Sequence, residues 1–349
     1  MLETNQQTTL VICTYNRSNE IIELLDCVKK QTIVSAIDVI VVDDGSKDDT
    51  AFSVRTWLSQ NRDTRLRFVS APKNIGLPAA RNLGFSLVHT PQVSFIDDDC
   101  RPAPNWMEEV MKAWSTMDST VVAFSGPVIG QTNDTFNRRY VAATNPLSSR
   151  TLDDLETKVG ILKRIRRYFT FSSPKDGDYV ASLVGANMTF RTSALRSVFG
   201  FDTELKFGSD DTIVSQKLRA KFGDQSLKFV DAIEMPHNFE KSFRDTLRRA
   251  YKYAVTNGKN FKAKKKTIVL PLPTPTFAIV LSALSCSPIG IYSSVFLALA
   301  FLPLSIALFV FLLHLKLVST KSRESVLYPF AKFTEELADN LGYLRGLLS

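Results

Sequence analysis

From Thr267 to Leu315 the chain contains no Lys, Arg, Asp or Glu, and no other feature narrows its folding options as sharply. A helix that crosses a bilayer needs about 20 predominantly apolar residues, and this stretch is roughly twice that. Ser287, Pro288 and Gly290 interrupt it near its middle, where a turn between two helices would fall. Lys262, Lys264, Lys265 and Lys266 precede it and Lys316, Lys321 and Arg323 follow it, so the positive-inside tendency puts both ends on the cytoplasmic side, as a hairpin requires. Pro271, Pro273, Pro275 and Pro303 leave open a re-entrant variant that does not fully cross. A buried pair of core helices fits less well, because soluble helices of such length carry a polar face. The expected organisation is therefore a cytoplasmic domain over 1–258, a basic linker and membrane hairpin over 259–318, and a tail over 319–349. In that tail Phe330, Phe333, Leu337, Leu341, Leu344 and Leu348 recur at three- and four-residue steps, the pattern of an amphipathic helix. The spacing does not choose between a membrane surface and the protein as its support.

The net charge of +8 has a local source in basic stretches at 163–167, 248–249 and 259–266, beside apolar sequence. An anionic membrane surface accounts for them better than nucleic acid does. Cys13, Cys27, Cys100 and Cys286 lie far apart without metal-type spacing, which speaks for a reduced compartment and against a zinc site or a disulfide framework. The first residues, Met1 to Thr9, are polar and lack a signal-peptide pattern, so the first domain is expected to stay in the cytoplasm.

The first 240 residues alternate short β-rich runs with helical patterns, as a mainly parallel α/β sheet does. Strands are expected at Thr9–Cys13, Asp38–Val42, Arg67–Ser70 and Val93–Ile96, with helices at Glu20–Gln31, Asp49–Gln60 and Pro78–Val88. A further helix is expected over Ser242–Tyr253, while 130–178 reads as an irregular, basic insertion. Ligands of such sheets sit beyond the carboxyl ends of the strands, so the polar clusters Thr14–Arg17, Asp43–Ser46 and Asp97–Asp99 should converge on one crevice.

Three adjacent carboxylates at a strand end, Asp97, Asp98 and Asp99, repel one another unless a cation neutralises them, and a divalent ion with oxygen ligands, Mg²⁺ or Mn²⁺, is the economical one. Strand alternation sends Asp97 and Asp99 to one side and Asp98 to the other. Asp43 and Asp44 cap the second strand and offer acceptors to a nucleobase or ribose, although Ser46 reads equally well as a helix cap. In the run Lys73-Asn74-Ile75-Gly76-Leu77-Pro78-Ala79-Ala80-Arg81-Asn82, Arg81 stands on the first turns of a helix, within reach of a phosphate or base, or of a surface salt bridge. Asp210 and Asp211 open a later helical stretch, where acids serve as ordinary caps or, opposite the other acidic cluster, as catalytic carboxylates. His237 is one of three histidines, a metal ligand or a satisfied loop residue.

Taken in order, these clusters resemble the family 2 glycosyltransferases, over most of residues 8–255. Val11-Ile-Cys-Thr-Tyr-Asn-Arg17 is similar to the family's first strand and nucleotide-contacting turn, with Cys13 in place of the common Pro. Val41-Val-Asp-Asp-Gly-Ser46 resembles the segment whose acid reads the base, Asn74 to Gly84 the Asn-Gly-Ala-Arg-Asn-Gly stretch, and Phe95-Ile-Asp-Asp-Asp99 the metal-binding acid motif. Gly185-Ala-Asn-Met-Thr-Phe-Arg191 with Gly200-Phe-Asp202 is similar to the acceptor-side strand and loop, and Asp210-Asp211 stands where Glu-Asp is usual. The resemblance implies a GT-A fold, Rossmann-like with a mixed sheet, followed here by a transmembrane hairpin. It also implies an inverting, metal-dependent transfer of a sugar from a UDP or GDP carrier to an acceptor. The expected hairpin, not the resemblance, puts that reaction at the cytoplasmic face of a membrane and suggests a lipid-linked or glycan acceptor, with a soluble or protein acceptor left open. Carried over, Asp211 is the catalytic base and Asp210 its neighbour. Thr14, Tyr15, Arg17, Asp43, Asp44, Asn74, Arg81, Asp97 and Asp98 contact the nucleotide sugar, and Asp99, Asp97 and His237 bind metal. The Gln-x-x-Arg-Trp of processive synthases is missing after Ser242, which favours a single addition. Two other classes stay open, a membrane-bound nucleotidyltransferase and an inactive nucleotide-sugar-binding module.

Overall fold

The computed structural model describes residues 8–62, 65–152, 174–204, 208–262 and 327–349. Its chain runs β1 (Thr8–Thr14), α1 (Ser18–Lys29), β2 (Ile37–Asp43), α2 (Thr50–Gln60), β3 (Leu66–Ser70), α3 (Leu77–Ser86), β4 (Gln92–Asp97) and α4 (Trp106–Thr116). There follow β5 (Ala123–Ser125), β6 (Val128–Gly130), α5 (Phe136–Thr144), β7 (Arg150–Thr151), β8 (Val180–Ser182), β9 (Asn187–Arg191) and α6 (Thr192–Ser197). The last elements are α7 (Asp210–Phe222), β10 (Leu227–Phe229), β11 (Met235–His237), α8 (Phe243–Lys262) and α9 (Tyr328–Leu348).

Seven strands form one sheet in the order β10-β5-β9-β4-β1-β2-β3. Neighbours are parallel except β9, which runs antiparallel to both β4 and β5. Alternation along β1 and β2 explains the layering. Leu10, Ile12, Val39 and Val41 face one core with α1, α2 and α4, while Val11, Cys13, Ile40 and Val42 face another with α3, α6 and α7. Because β9 is reversed, its first residue Asn187 pairs with Ile96 near the end of β4. The loop leading into β9 therefore arrives at the carboxyl edge of the parallel strands. The expected mainly parallel α/β sheet is present, and its reversed strand makes it mixed.

Each early strand and helix lies where the hydrophobic pattern put it, with ends shifted by a residue or two. Residues 130–178 were expected to be irregular, yet they contain α5, whose Tyr140 and Val141 are buried. Arg138 and Arg139 dilute its apolar periodicity, which hides the helix from a pattern reading; residues 153–173 lie outside the described part.

The described residues gather into two compact units. One takes the chain up to Asn133, the segment from Asn145 and the strands up to Phe239; the other takes Asp134–Thr144 and the chain from Glu240 onward. In the second unit α8 and α9 pack through small residues. A Cβ on Gly258 would lie 2.3 Å from the Tyr343 carbonyl oxygen, and one on Gly346 would lie 2.1 Å from that of Val255. Only glycine lets the two backbones come so close. Among the described residues no helix is long and apolar enough to cross a membrane. The hairpin expected over 267–315 lies outside them.

In the first unit Gly84 seats α3 on the sheet, since a Cβ there would meet the Val11 side chain at 2.5 Å and that of Val42 at 3.1 Å. Gly84→Ala should force α3 away from β1 and β2 and lower unfolding stability by about 1–3 kcal/mol, the usual range for overpacking, as measured by urea denaturation.

Candidate active site

Arg81 is the centre of the edge where the strands end. Its side chain is 4% exposed although it sits one turn into α3, because that helix starts at the sheet edge and points its first turns inward. One guanidinium nitrogen donates to Asp210 Oδ2 at 2.5 Å, and the other donates to Asp97 Oδ1 at 2.9 Å and to the Gly185 carbonyl at 3.1 Å. Three segments distant in sequence are thereby tied to one cation: the end of β4, the loop before β9 and the start of α7. Gly208 and Ser209 carry the last of these to the site with left-handed backbone, at φ +74° and +61°.

Asp211 lies beside this bridge. Its Oδ2 accepts from the Gly185 N–H at 2.9 Å and its Oδ1 from the Thr212 N–H at 2.6 Å. Gly185 thus links the two charged groups, its carbonyl serving Arg81 and its N–H serving Asp211. A Cβ at Gly185 would come within 3.3 Å of both side chains. Burial is the main influence on Asp211 and the adjacent Asp210 charge adds to it, so the carboxyl is pushed up to about 6 in spite of Arg81.

A second cation serves the other two acids of the triplet. Thr14 donates to Asp98 Oδ2 at 2.7 Å, and Arg17 donates to Asp98 Oδ1 at 3.1 Å and to Asp99 Oδ2 at 2.5 Å. The expected alternation stops at Asp97, the last residue of β4, and beyond it the chain turns so that Asp98 and Asp99 share Arg17 while Asp97 faces Arg81. Burial pushes Asp98 up to about 7 against the pull of Arg17. Burial acts on Asp99 in the same sense, but there His237 and Arg17 outweigh it and hold the carboxyl well below the usual range.

His237 ends β11 with Nε2 2.9 Å from Asp99 Oδ1. Two donors on adjacent corners of a small divalent ion, each about 2.1 Å from it, stand roughly 3 Å apart, so this pair fits such an ion. Among the described residues the group with metal-ligand spacing is Asp99, Cys100 and His237, whose donor atoms lie within 4.8 Å of one another. Cys100 suits the role poorly. Its thiol is buried, donates to the Ala186 carbonyl at 3.3 Å and is pushed well above its ordinary range by that burial, whereas a ligating sulfur must lose its proton. Asp97 approaches the same region but is engaged by Arg81.

Asp43 and Asp44 are largely occupied by their own surroundings. Asp43 accepts from the Ser46 N–H at 3.0 Å and the Ser70 hydroxyl at 2.8 Å. Asp44 accepts from Asn74 at 3.0 Å and from the N–H groups of Ile75 and Gly76 at 2.6 and 3.0 Å. Asp44 and Asn74 thus fix the turn that delivers α3 and, with it, Arg81. Tyr15, 38% exposed, stands at the open edge of the site next to Thr14. Sequence reading missed Gly185, because a glycine in a Gly-Ala-Asn run carries no sign that its backbone will join two charged groups.

The seven-stranded mixed sheet, with acids at the end of β4 and the start of α7 gathered at one edge, defines a GT-A-like glycosyltransferase fold. A profile of glycosyl transferase family 2 matches residues 9–199, more than half of the chain, and the chain belongs to that family. It is 34% identical over 121 residues to chondroitin synthase of Escherichia coli, covering 34% of this chain and 17% of that protein. It is 30% identical over 149 residues to glycosyltransferase AglE of Haloferax volcanii, covering 42% of this chain and 47% of that one. The chain therefore spans less than half the length of either relative. Among solved structures, a Pyrobaculum calidifontis mannosyltransferase in complex with GDP-Man and Mn²⁺ has a similar fold, with TM-score 0.58 and 19% identity over 98% of this chain and 87% of that one. GalNAc-T7 with UDP, GalNAc and Mn²⁺ gives a TM-score of 0.52 at 13% identity, over 77% of this chain and 53% of the other.

Removing the central cation should be costly. Arg81→Ala leaves Asp210, 2% exposed, buried without its counter-ion, a change that typically destabilises by about 3–5 kcal/mol. Arg81→Lys should recover only part of this, because one ammonium cannot reproduce a two-sided guanidinium fork. Denaturant unfolding of both variants measures the difference.

Proposed function

We propose that the chain is an inverting glycosyltransferase that moves one sugar from a nucleoside diphosphate carrier to an acceptor hydroxyl. The observation that carries this reading is the convergence on Arg81 of Asp97 from β4 and Asp210 from α7, with Asp211 beside them. In this reading Asp211 takes the proton of the acceptor hydroxyl as its oxygen bonds to the anomeric carbon, and the bond to the diphosphate breaks on the opposite face. A carboxylate raised to about 6 is ionised at neutral pH yet more basic than an ordinary aspartate, which suits a general base. Asp210 and Arg81 hold the edge on which it works, while Thr14, Tyr15, Arg17 and Asp43 surround the donor's nucleotide.

Asp99 and His237 would hold a divalent ion, with Asp97 as the further carboxylate, in line with the Mn²⁺ of the two solved relatives. When bound, such an ion offsets charge on the departing diphosphate. Those relatives carry GDP-Man or UDP, so both bases are carried forward as donor classes. The charge-free run over 267–315, with lysines on both sides, supports the three-part organisation 1–258, 259–318 and 319–349, with a membrane hairpin in the middle and the catalytic domain on the cytoplasmic side. A lipid-linked or glycan acceptor at the membrane follows from that placement.

Three outcomes test the reading against its competitors. Incubation with a panel of nucleotide sugars should release UDP or GDP; a nucleotidyltransferase would release neither, but with added pyrophosphate would convert the nucleotide sugar to a nucleoside triphosphate and a sugar 1-phosphate, and an inactive binding module would do none of these. Asp211→Asn should keep donor affinity, measured by calorimetry, and lose about 10²- to 10⁴-fold in transfer rate. The wild-type rate should fall as pH drops through about 6, where Asp211 is protonated. The same variant should be more stable than the wild type at neutral pH. A carboxyl raised in the folded state binds its proton more tightly there than in the unfolded chain, so its contribution declines as pH rises from 3.8 through about 6. Asp99→Ala should weaken nucleoside diphosphate binding in Mn²⁺ and change little in chelator; equal effects in both would remove its metal role.

A further inference from the structure

α9 is folded inside out. Its charged residues Glu335 and Glu336 are 9% and 7% exposed, while on another face Leu341 and Leu348 are 62% and 83% exposed. Phe333, Leu337, Leu341, Leu344 and Leu348 follow one another at three- and four-residue steps and so form one continuous stripe along the helix. The inward face is satisfied within the same compact unit. Tyr140 of α5 donates to Glu335 Oε2 at 2.5 Å, Lys332 pairs with that carboxylate at 3.2 Å, and Gly342 and Gly346 admit the α8 backbone. A helix in water turns its leucines inward and its carboxylates outward; the reverse suits a helix whose outer neighbour is hydrocarbon.

The surroundings of the stripe identify that neighbour. Phe261, near the end of α8, lies against Tyr343 of α9 with tilted rings and centroids 6.4 Å apart, so exposed Lys259 and Lys262 stand at the same end of the helix pair as exposed Arg345. An apolar stripe bordered by cations is complementary to a layer of anionic headgroups over acyl chains. In the sequence the charge-free run begins five residues after α8 ends, at Thr267, and Tyr328 opens α9 shortly after the run's trailing cations. Four residues of the inward face, Lys332, Glu335, Glu336 and Asp339, are ionisable, which suits a helix that lies on a bilayer and not one that crosses it.

We propose that the Phe333–Leu348 stripe of α9 is a membrane-docking surface that lies in the headgroup region of an anionic phospholipid bilayer. The α8–α9 pair, locked through its glycines, would then meet the bilayer along this stripe, and the proposal rests on the membrane reading of residues 267–315.

The full chain offers a direct test, because its three tryptophans, Trp57, Trp106 and Trp114, are all buried in the first unit. Phe333→Trp and Leu341→Trp each add one reporter to the stripe, and Lys112→Trp adds one to a solvent-exposed helix face far along the sequence. With vesicles of phosphatidylcholine and phosphatidylglycerol carrying brominated acyl chains, the two stripe variants should lose most of their added emission and Lys112→Trp should keep its own. If the protein floats with the vesicles while both stripe reporters stay unquenched, the docking surface is disproved and the anchor stands. Blue-shifted emission that brominated lipid does not quench would show the stripe covered by protein, either the apolar run of the same chain or a second copy, and overturns the proposal equally. If the full chain does not float at all, the anchor reading fails and the docking surface with it.

Discussion

A buried arginine facing two carboxylates holds the functional edge of this molecule together. A charge as deeply buried as that of Arg81 persists only where its donors meet partners, and here they meet Asp97, Asp210 and the Gly185 carbonyl. The geometry follows from that demand. Asp97 must end its strand level with the first turns of α3, α7 must begin where Gly208 and Ser209 turn it, and the loop before β9 must pass close enough to present a carbonyl. Displacement of any one of them would leave a buried charge uncompensated.

The same edge keeps its acids in unlike states. Asp99 is held ionised by His237 and Arg17, whereas Asp98 and Asp211 are raised by burial and by neighbouring acids. Carboxylates of equal intrinsic acidity are thus separated by position alone, Asp99 kept anionic beside His237 and Arg17, and Asp98 and Asp211 kept more basic than an ordinary aspartate. Cys13, where the family commonly has proline, leaves β1 with an unbroken ladder to β2 and β4 through its register partners Val42 and Asp97.

The second unit follows a different rule. Glycines bring α8 and α9 together, and the charged face of α9 is turned inward, Glu335 meeting Tyr140 of α5 and Lys332 of its own helix, while Leu341 and Leu348 stand exposed. In the first unit alternating strands hide apolar side chains between sheet and helices in the ordinary way.

The succession of short apolar runs and helical patterns was enough to place β1 to β4 and α1 to α3 and to bring the polar clusters to one edge, because a strand covered by helices on both faces reads locally as an unbroken apolar run that stops where polar residues begin. The order of short motifs likewise pointed to the family. What the letters did not carry was partnership. Strand alternation predicted opposite faces for Asp98 and Asp99, but the chain leaves the strand at Asp97 and both reach Arg17. Arg81 read as a donor to a phosphate or base or as one half of a salt bridge, Asp44 as an acceptor for a base or ribose, and Gly185 as part of an acceptor-side strand; which protein groups each meets, Asp97 and Asp210 for Arg81, the Asn74–Gly76 turn for Asp44, and Arg81 with Asp211 for Gly185, came only from the fold. The periodicity of α9 was legible, while the side it turns outward was not. Local pattern follows from residues within a few positions of each other, and sequence alone determines it. Which charge meets which, and which face of a helix is covered, depends on segments tens to hundreds of residues apart, and only their packing in three dimensions decides it.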